Sequence, residues 1–406
     1  MNVSGNTFPV PHALADRPQI AADSPEPAAS WAGSTPASRP DQRRDLPAPS
    51  PPDACEDHAG RALSCSTAKL RNIQALRALA AWGVVGHHLV DSLNNYLARG
   101  RFEYMPRFGS FGVEVFFVVS GYVMMLTAAR RELSPGRFLV ERLLRIAPPY
   151  WLLTLVAFAT MTLGFHAFSL QHAGVDRLLV SLLFLPWFEG GRTAMPIVFP
   201  GWTLNYEMMF YALFALFLPV RSEAVRIAGI CGVLGAAVLT QWLTDGPLAG
   251  YLGREIVVGF GLGVLLWPIA RGRRIAPVAS WALVSAGLMI LVAADATGLR
   301  AGSHVELLVS GGALMIVAGA ILLEQAGCAV RREWIVAQGD ACYALYLVHP
   351  FVIAILGKAA LVLRLNVTMP GIVLTLAAMV AISALAAAGL HRWFERPVYA
   401  LARRLS

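Results

Sequence analysis

The sequence predicts an all-α, polytopic membrane protein with about ten transmembrane helices and a disordered N-terminal tail. Of the 406 residues, 56% are hydrophobic and 14% are charged, whereas soluble domains contain about 25% charged residues. The hydrophobic residues are concentrated in runs of about 20, the length that crosses a bilayer as a helix. These runs cover residues 72–92, 108–128, 146–165, 202–219, 225–242, 253–270, 276–294, 304–324, 340–363 and 370–390.

The segment before the first run differs in composition from the rest of the chain. Residues 1–68 hold 11 of the 25 prolines and have no apolar core of the kind that a signal peptide needs. Such a segment buries too little apolar surface to fold, so we predict a disordered cytoplasmic tail. We expect residues 69–396 to form the membrane domain and residues 397–406 to form a short basic cytoplasmic tail.

The basic residues predict the orientation of the chain in the inner (plasma) membrane. With the N-terminus inside, the inner loops contain about twice as many arginines as the outer loops, as the positive-inside rule requires. Both termini are therefore expected in the cytoplasm, and the net charge of +8 does not indicate nucleic acid. Residues 173–190 are apolar but short and contain Asp176 and Arg177. A full span there would invert every later helix, so we expect a re-entrant or interfacial element on the outer face.

Cysteine usage predicts neither a metal site nor a disulfide framework. The five cysteines contain no CxxC pair, and three of them lie in or beside apolar runs. We expect these three to be small packing residues.

Polar residues within the apolar runs are the candidate functional groups, because an ionisable side chain is costly inside a membrane. Arg77 and His88 are eleven residues apart, which places them on one helical face about 16 Å apart along the axis. An imidazole accepts and releases a proton near neutral pH, so His88 is a candidate general base. The alternative is a histidine that is hydrogen-bonded between helices. The neighbouring His87 lies about 100° around the helix.

Two glutamates and a second histidine extend this set. Glu114 lies near the outer end of the second run, where its carboxylate could orient a histidine or cap a polar interface. Glu207, in the run that follows Pro200, needs a partner or a wet cavity. His349 precedes Pro350, which frees a backbone carbonyl and kinks the helix. His349 is either a core histidine or a site histidine.

Three arginines form a candidate donor site. Arg142 and Arg145 are three residues apart on one helical face, at the inner boundary of the membrane. Paired guanidinium groups make a forked phosphate site, and Arg77 near the same boundary could join them. A cytoplasmic donor that carries phosphates, such as acyl-CoA, would suit this site. The alternative is that these arginines only anchor the helix ends.

Six motifs occur in order along residues 70–400. They are the Arg77–His88 spacing, GVEVFFVVSGYVMM, the Arg142-x-x-Arg145 pair, GWTLNYEMMFYALF, LYLVHP around His349, and ERPV near the end. Together they resemble the acyltransferase 3 family of membrane acyltransferases, and in particular its exopolysaccharide acetyltransferase branch. Many members of that family carry Asp where this chain has Glu114, so the carboxylate is kept.

The resemblance implies a ten-helix enzyme that moves an acyl group, often acetyl, from cytoplasmic acyl-CoA to a hydroxyl of an envelope molecule at the outer face. The acceptor is a carbohydrate or a lipid-linked glycan, the donor is acyl-CoA or acetyl-CoA, and no cofactor is bound permanently. The family's essential histidine corresponds to His88, and its arginine motifs to Arg77, Arg142 and Arg145. Some members append a periplasmic hydrolase-like domain. This chain ends soon after the last run, so it is expected to complete the reaction itself or with a separate periplasmic partner.

The mechanism that we predict is general-base acyl transfer. His88 removes the proton of the acceptor hydroxyl, and Glu114 or Glu207 orients the imidazole. His88 as an acyl carrier is a variant that the sequence leaves open. The alternatives from other classes are a secondary transporter, because intramembrane Arg, His and Glu also build proton paths, and a polysaccharide-export subunit without chemistry. A transporter usually shows internal repeats, and none is visible between the halves of this chain.

Overall fold

The computed structural model describes residues 70–98, 108–164, 174–296 and 305–405, and the predicted tail of residues 1–68 lies outside the described residues. The described part is almost entirely helical. Its helices and strands are α1 (Arg71–Ser92), α2 (Gly112–Arg130), α3 (Pro135–Thr162), α4 (Val175–Leu182), β1 (Trp187–Glu189), β2 (Arg192–Ala194), α5 (Gly201–Phe217), α6 (Glu223–Leu243), α7 (Pro247–Leu252), α8 (Val258–Ala270), α9 (Pro277–Ala296), α10 (Val305–Gln325), α11 (Glu333–Asp340), α12 (Cys342–Val362), α13 (Met369–Leu390) and α14 (Arg396–Leu405). Short 3-10 or π turns cover Leu93–Leu97, Phe108–Phe111, Glu255–Val257, Leu365–Val367 and His391–Glu395. The C-terminal segment that the sequence predicts as a tail thus begins within a helix.

Eight helical segments of the described residues are long and apolar enough to cross a membrane. They are Gly109–Arg130, Pro135–Thr162, Glu223–Leu243, Pro247–Ala270, Pro277–Ala296, Val305–Gln325, Cys342–Val362 and Met369–Leu401. Helices α1 and α5, which the sequence also predicts as spans, are not in this set. Polar residues such as Arg77 and His88 lower the hydropathy of α1, and α5 has 17 residues, about 26 Å against a hydrocarbon core of about 30 Å. The all-α multi-pass class is confirmed, and the count of ten spans stays a prediction.

Helix α1 lies in the middle of the packing that forms the site. It contacts α2, α10, α11 and α12, and its residues Ala81 and Val85 are fully buried. Its close approach to α2 depends on Gly112, because a Cβ atom there would collide with the backbone carbonyl of Ala80. Small residues of this kind let membrane helices pack backbone to backbone. The polar face of α1 is therefore held against its neighbours by tightly fitted helices.

Helices α2 and α8 meet at a reciprocal pair of glycines. A Cβ atom at Gly121 would collide with the carbonyl oxygen of Phe260, and one at Gly263 would collide with the carbonyl oxygen of Val118. Both obstacles are helix backbone, which cannot turn aside as a side chain can. The Ser-Gly step at residues 120–121 thus provides close packing of the two helices.

A leucine at Gly121 is therefore expected to destabilise the protein by about 3 kcal/mol or more, because it would force α2 and α8 apart. Thermal unfolding of the purified protein in detergent measures this loss. Gly235→Leu in α6 is the matched control, since a Cβ atom at that position meets no atom within 4 Å. If the two variants unfolded at the same temperature, the packing explanation would be wrong.

The segment of residues 173–190, described from residue 174, folds as α4 followed by the first strand of a hairpin. Helix α4 has eight residues, so it is about 12 Å long and too short to cross the hydrocarbon core. The buried Arg177 donates a hydrogen bond to the carbonyl oxygen of Met195, and the indole of Trp151 in α3 donates one to the carbonyl of Leu182 at 2.8 Å. These contacts hold the segment against α3 and lead the chain into α5.

Candidate active site

The last turns of α1 carry three polar side chains that lie close together. Oδ2 of Asp91 is 3.4 Å from Nε2 of His87 and 3.7 Å from Nδ1 of His88. Residues three and four apart are neighbours on a helix, so the local sequence HHLVD produces this arrangement directly. Asp91 is not among the residues that we predicted for the site. Its spacing of three from His88 is the signal that could have identified it.

The ring of His88 contacts rings from two other parts of the chain. Its centroid lies 5.3 Å from that of His349 in α12, with the two rings stacked at 22°. It lies 5.1 Å from the ring of Phe199, which stands perpendicular to it before α5. The His88 side chain is 21% exposed, whereas His349 is completely buried. The structure therefore brings together the two histidines that we predicted for the site.

The hydrogen bond of His349 leaves one of its nitrogens as an acceptor. Nδ1 lies 3.1 Å from the carbonyl oxygen of Leu345, one helical turn earlier. Because a carbonyl only accepts, Nδ1 of the neutral ring carries the hydrogen and Nε2 is left as an acceptor. Among the described residues, this buried Nε2 has no hydrogen-bond partner. Most buried polar atoms have a hydrogen-bond partner, and a catalytic role is one explanation for an atom without one.

The three predicted arginines line one cavity of about 210 Å³, which we call the arginine cavity. It lies between α1, α2, α3, α5 and α12. Arg77 donates a hydrogen bond to Oε1 of Gln74 at 3.0 Å, and Arg142 donates one to Oγ1 of Thr127 at 3.3 Å. The Arg142 guanidinium also lies over the ring of Tyr211, 5.8 Å from its centroid. Arginines from two helices, α1 and α3, thus line one cavity.

The two predicted glutamates lie in different cavities. Glu207 lines the arginine cavity, where its carboxylate accepts a hydrogen bond from the Tyr211 hydroxyl. Glu114 lines a second cavity of about 530 Å³, together with Trp202 and Arg254. We had expected one of these glutamates to orient His88. The carboxylate that the structure places at the His88 ring is instead that of Asp91, because a residue one turn away on the same helix needs no second helix to bring it there.

Tyr346 connects the arginine cavity to the histidine pair. Its side chain lines the cavity, and its ring centroid is 6.1 Å from that of His349, one helical turn further along α12. The Tyr346 hydroxyl shares a hydrogen bond of 2.8 Å with Oγ1 of Thr203, another residue of the cavity wall. A group that fills the arginine cavity therefore lies one side chain away from His349, against which His88 is stacked.

His87, His88 and Asp91 also have the composition of a metal site. One ligand atom from each lies within 4.8 Å of the others. Imidazole and carboxylate groups are ligands for several divalent metals. The expectation of no metal site rested on cysteine spacing and did not consider this cluster, so it stays a prediction.

Comparison with known proteins identifies a family and two relatives. The profile of a family described as an acyltransferase domain, acyltransferase 3, matches residues 70–388. The chain is 32% identical to the exopolysaccharide production protein ExoZ of Rhizobium meliloti (strain 1021) over 262 residues, which cover 64% of this chain and 81% of ExoZ. It is 30% identical over 203 residues to BcsY of Komagataeibacter xylinus, named as a membrane-bound transacylase, covering 46% of this chain and 51% of BcsY. No solved structure matches the chain.

The family profile covers more than three quarters of the chain, and both histidines of the site and all three arginines of the cavity lie within it. The eight apolar helices of the described residues make the protein a multi-pass membrane protein. The chain therefore belongs to the acyltransferase 3 family and is a membrane acyltransferase.

Proposed function

We propose that this protein transfers an acyl group, acetyl in the simplest case, from acyl-CoA to a hydroxyl of an exopolysaccharide or its lipid-linked precursor. One observation carries the proposal: a cavity with three arginines adjoins, through Tyr346, a pair of stacked histidines. The name of ExoZ, a protein of exopolysaccharide production, supports the acceptor class. Membership of an acyltransferase family favours this function over the transporter and the export subunit.

The charge of the arginine cavity suits an anionic donor. Among the described residues, the cavity is lined by Arg77, Arg142 and Arg145 and by one carboxylate, that of Glu207, so positive charge is in excess. Guanidinium groups bind phosphate oxygens in pairs, with charge-assisted hydrogen bonds. Acyl-CoA separates its phosphates from its thioester by a flexible pantetheine arm. In our proposal the arginines hold the phosphates, and the arm carries the thioester past Tyr346 to His88.

The contacts of His88 support its proposed role as general base. Its Nδ1 faces Asp91 at 3.7 Å, which leaves Nε2 to take the proton of the acceptor hydroxyl. The hydroxyl oxygen forms a bond to the thioester carbonyl carbon, and the C–S bond then breaks. The departing thiolate takes up the proton that His88 received. Asp91 stabilises the positively charged imidazole between these steps, and His349 fixes the plane of the ring by stacking against it.

Orientation in the membrane is part of the same proposal. The arginine excess of the loops favours cytoplasmic termini, which would place Arg77 on the cytoplasmic side of His88. The two residues lie about 16 Å apart along α1. The donor would thus bind from the cytoplasm of a cell with this protein in its inner membrane, and the acceptor would approach from the opposite side.

The role of Asp91 is testable by a nearly isosteric change. We expect Asp91→Asn to lower kcat about 10- to 100-fold, because the positively charged His88 loses its carboxylate partner in the transition state. The KM for acyl-CoA should change little, since Asp91 is not in the arginine cavity. Asp176→Asn, at the exposed start of α4, is the control. If the Asp91→Asn enzyme had the wild-type kcat, Asp91 would have no role in the mechanism.

The function itself is tested in cells. Exopolysaccharide is isolated from wild-type cells, from cells that lack the protein, and from cells in which the His88→Gln variant replaces the protein. Its oligosaccharide fragments are compared by mass spectrometry. We expect acylated fragments from the first cells alone. Identical fragments from all three would contradict an acyltransferase that acts on this polymer, and the fragment that carries the group would identify the acceptor sugar.

A further inference from the structure

The second cavity, of about 530 Å³, lies beside the arginine cavity and has a different composition. It is formed by the start of α2, the start of α5, the end of α6, the turn before α8 and the start of α10. Val113 belongs to the walls of both cavities. Helix α2 contributes Glu114 to the second cavity and Met124 to the arginine cavity, ten residues or about 15 Å further along. The two cavities are therefore adjacent and extend toward opposite ends of α2.

Two tryptophans and an ion pair define this second cavity, which we call the tryptophan cavity. The Arg254 guanidinium lies over the ring of Trp202, 4.9 Å from its centroid. Nε of Arg254 donates a hydrogen bond to Oε1 of Glu306 at 3.0 Å, and the backbone N–H of Ile256 donates one to Oε2 of the same carboxylate at 3.0 Å. Glu306 thus fixes Arg254, and Arg254 fixes the ring of Trp202. Trp242 completes the aromatic lining and is 54% exposed.

Among the described residues, the charged side chains of the tryptophan cavity have the opposite balance to those of the arginine cavity. Its described lining holds three carboxylates, those of Glu114, Glu255 and Glu306, and one guanidinium, that of Arg254. Glu114 and Glu255 are buried, at 9% and 8% exposure. Such a lining disfavours the phosphates of acyl-CoA and suits a neutral ligand with many hydroxyl groups, which donate hydrogen bonds to carboxylates. Indole rings provide flat apolar surfaces against which the C–H faces of a sugar ring can pack.

Two chain segments that line the tryptophan cavity also approach the histidines. Trp202 lies three residues after Phe199, whose ring contacts His88 at 5.1 Å. On the other side, Ser110 lines the cavity next to Gly109, which packs so closely on α1 that a Cβ atom there would lie 3.0 Å from the backbone nitrogen of His87. A ligand in the tryptophan cavity is therefore bounded by two segments that also enclose the histidines.

We propose that the tryptophan cavity binds a sugar residue of the acceptor glycan and directs one of its hydroxyl groups toward His88. This inference rests on the proposed function and adds the location of the acceptor. The donor and the acceptor then occupy separate cavities of opposite charge that share a wall at Val113. Because the two cavities are separate, each substrate can bind without displacing the other.

The experiment uses the full-length chain in lipid nanodiscs. The acceptor probe is a mixture of oligosaccharides made by mild acid hydrolysis of de-O-acylated exopolysaccharide from the producing cells. Initial rates of [14C]acetyl transfer from acetyl-CoA give one KM for each substrate, and equilibrium dialysis of borotritide-reduced oligosaccharide without donor gives acceptor binding separately. The variants are Trp202→Ala and the half-exposed Trp242→Ala. Trp281→Ala, at a 58% exposed position of α9 outside both cavities, is the matched control.

We expect both tryptophan variants to raise the KM for oligosaccharide at least tenfold and to weaken dialysis binding equally. The KM for acetyl-CoA should stay within twofold of wild type, as should every parameter of the control. Wild-type oligosaccharide KM and binding in both variants would overturn the acceptor site and leave the transfer reaction intact. Binding that depends on the tryptophans without any acetyl transfer would instead support the sugar site and contradict the proposed function. A wild-type protein that binds no oligosaccharide would overturn the inference.

Discussion

Replacing His88 with glutamine is expected to lower acyl transfer about 10²- to 10⁴-fold, the range that a general base contributes. Glutamine keeps a side chain of similar length but cannot take the proton of the acceptor hydroxyl. The KM for acyl-CoA should be nearly unchanged, because the phosphates bind in the arginine cavity. Initial rates of labelled acetyl transfer by purified protein measure both parameters.

His87→Gln is the matched control for His88. Both histidines lie within 4 Å of Asp91, but the structure stacks His88 on His349 behind the arginine cavity, so we expect His87→Gln to lose less than tenfold. Equal losses in the two variants would contradict the assignment of the base to His88. A rapid quench of the wild type into denaturant at neutral pH, with labelled acetyl-CoA and no acceptor, tests the alternative in which His88 carries the acyl group. An acyl-histidine would leave label on the protein, and hydroxylamine would remove that label.

Replacing both Arg142 and Arg145 with glutamine is expected to raise the KM for acetyl-CoA about 100-fold or more. Each lost charge-assisted phosphate contact costs about 1.5–3 kcal/mol, and every 1.4 kcal/mol is a factor of ten in affinity. The kcat should change much less, because binding that is equal in the ground state and the transition state affects KM alone. The same rate measurements at varied acetyl-CoA concentration test this prediction.

A second acyl donor, which lacks phosphates, tests whether the arginines act on the phosphates of acetyl-CoA. S-acetyl-pantetheine carries the thioester without the phosphates, so we expect the wild type to prefer acetyl-CoA strongly and the double variant to lose most of that preference. Arg137→Gln is the control, since Arg137 lies on the same helix but is exposed and pairs with Glu141 at 3.3 Å. A double variant that kept the full preference for acetyl-CoA would show that these arginines only anchor the helix.

The fold was largely predictable from the apolar runs. Every run in the sequence corresponds to a helix of the described residues, because a bilayer core leaves no backbone polar group unpaired and thereby favours helices. The short segment before α5 was also recognised as different from a span, from its length and from Asp176 and Arg177. The sequence also predicts α1 and α5 as spans. Both form helices, but α1 is more polar and α5 is shorter than the eight apolar helices, and their burial depends on neighbours that only the fold provides.

The candidate site was predictable in part. Arg142 and Arg145 share a helix face by their spacing, and the structure adds Arg77 from another helix to the same cavity. The contact of His88 with His349 joins residues 261 positions apart, and no periodicity within one helix indicates such a pair. Asp91 was not predicted because we expected the orienting carboxylate on other helices, at Glu114 or Glu207.

Acyl transfer by the purified chain is the central claim of the proposed function. The decisive measurement is transfer of label from [14C]acetyl-CoA to de-O-acylated exopolysaccharide by wild-type protein in nanodiscs, with His88→Gln beside it. We predict alkali-labile label in the polysaccharide with wild type, and at least about 100-fold less with the variant. Equal labelling by wild type and His88→Gln, or none by wild type that binds acetyl-CoA, would contradict the account.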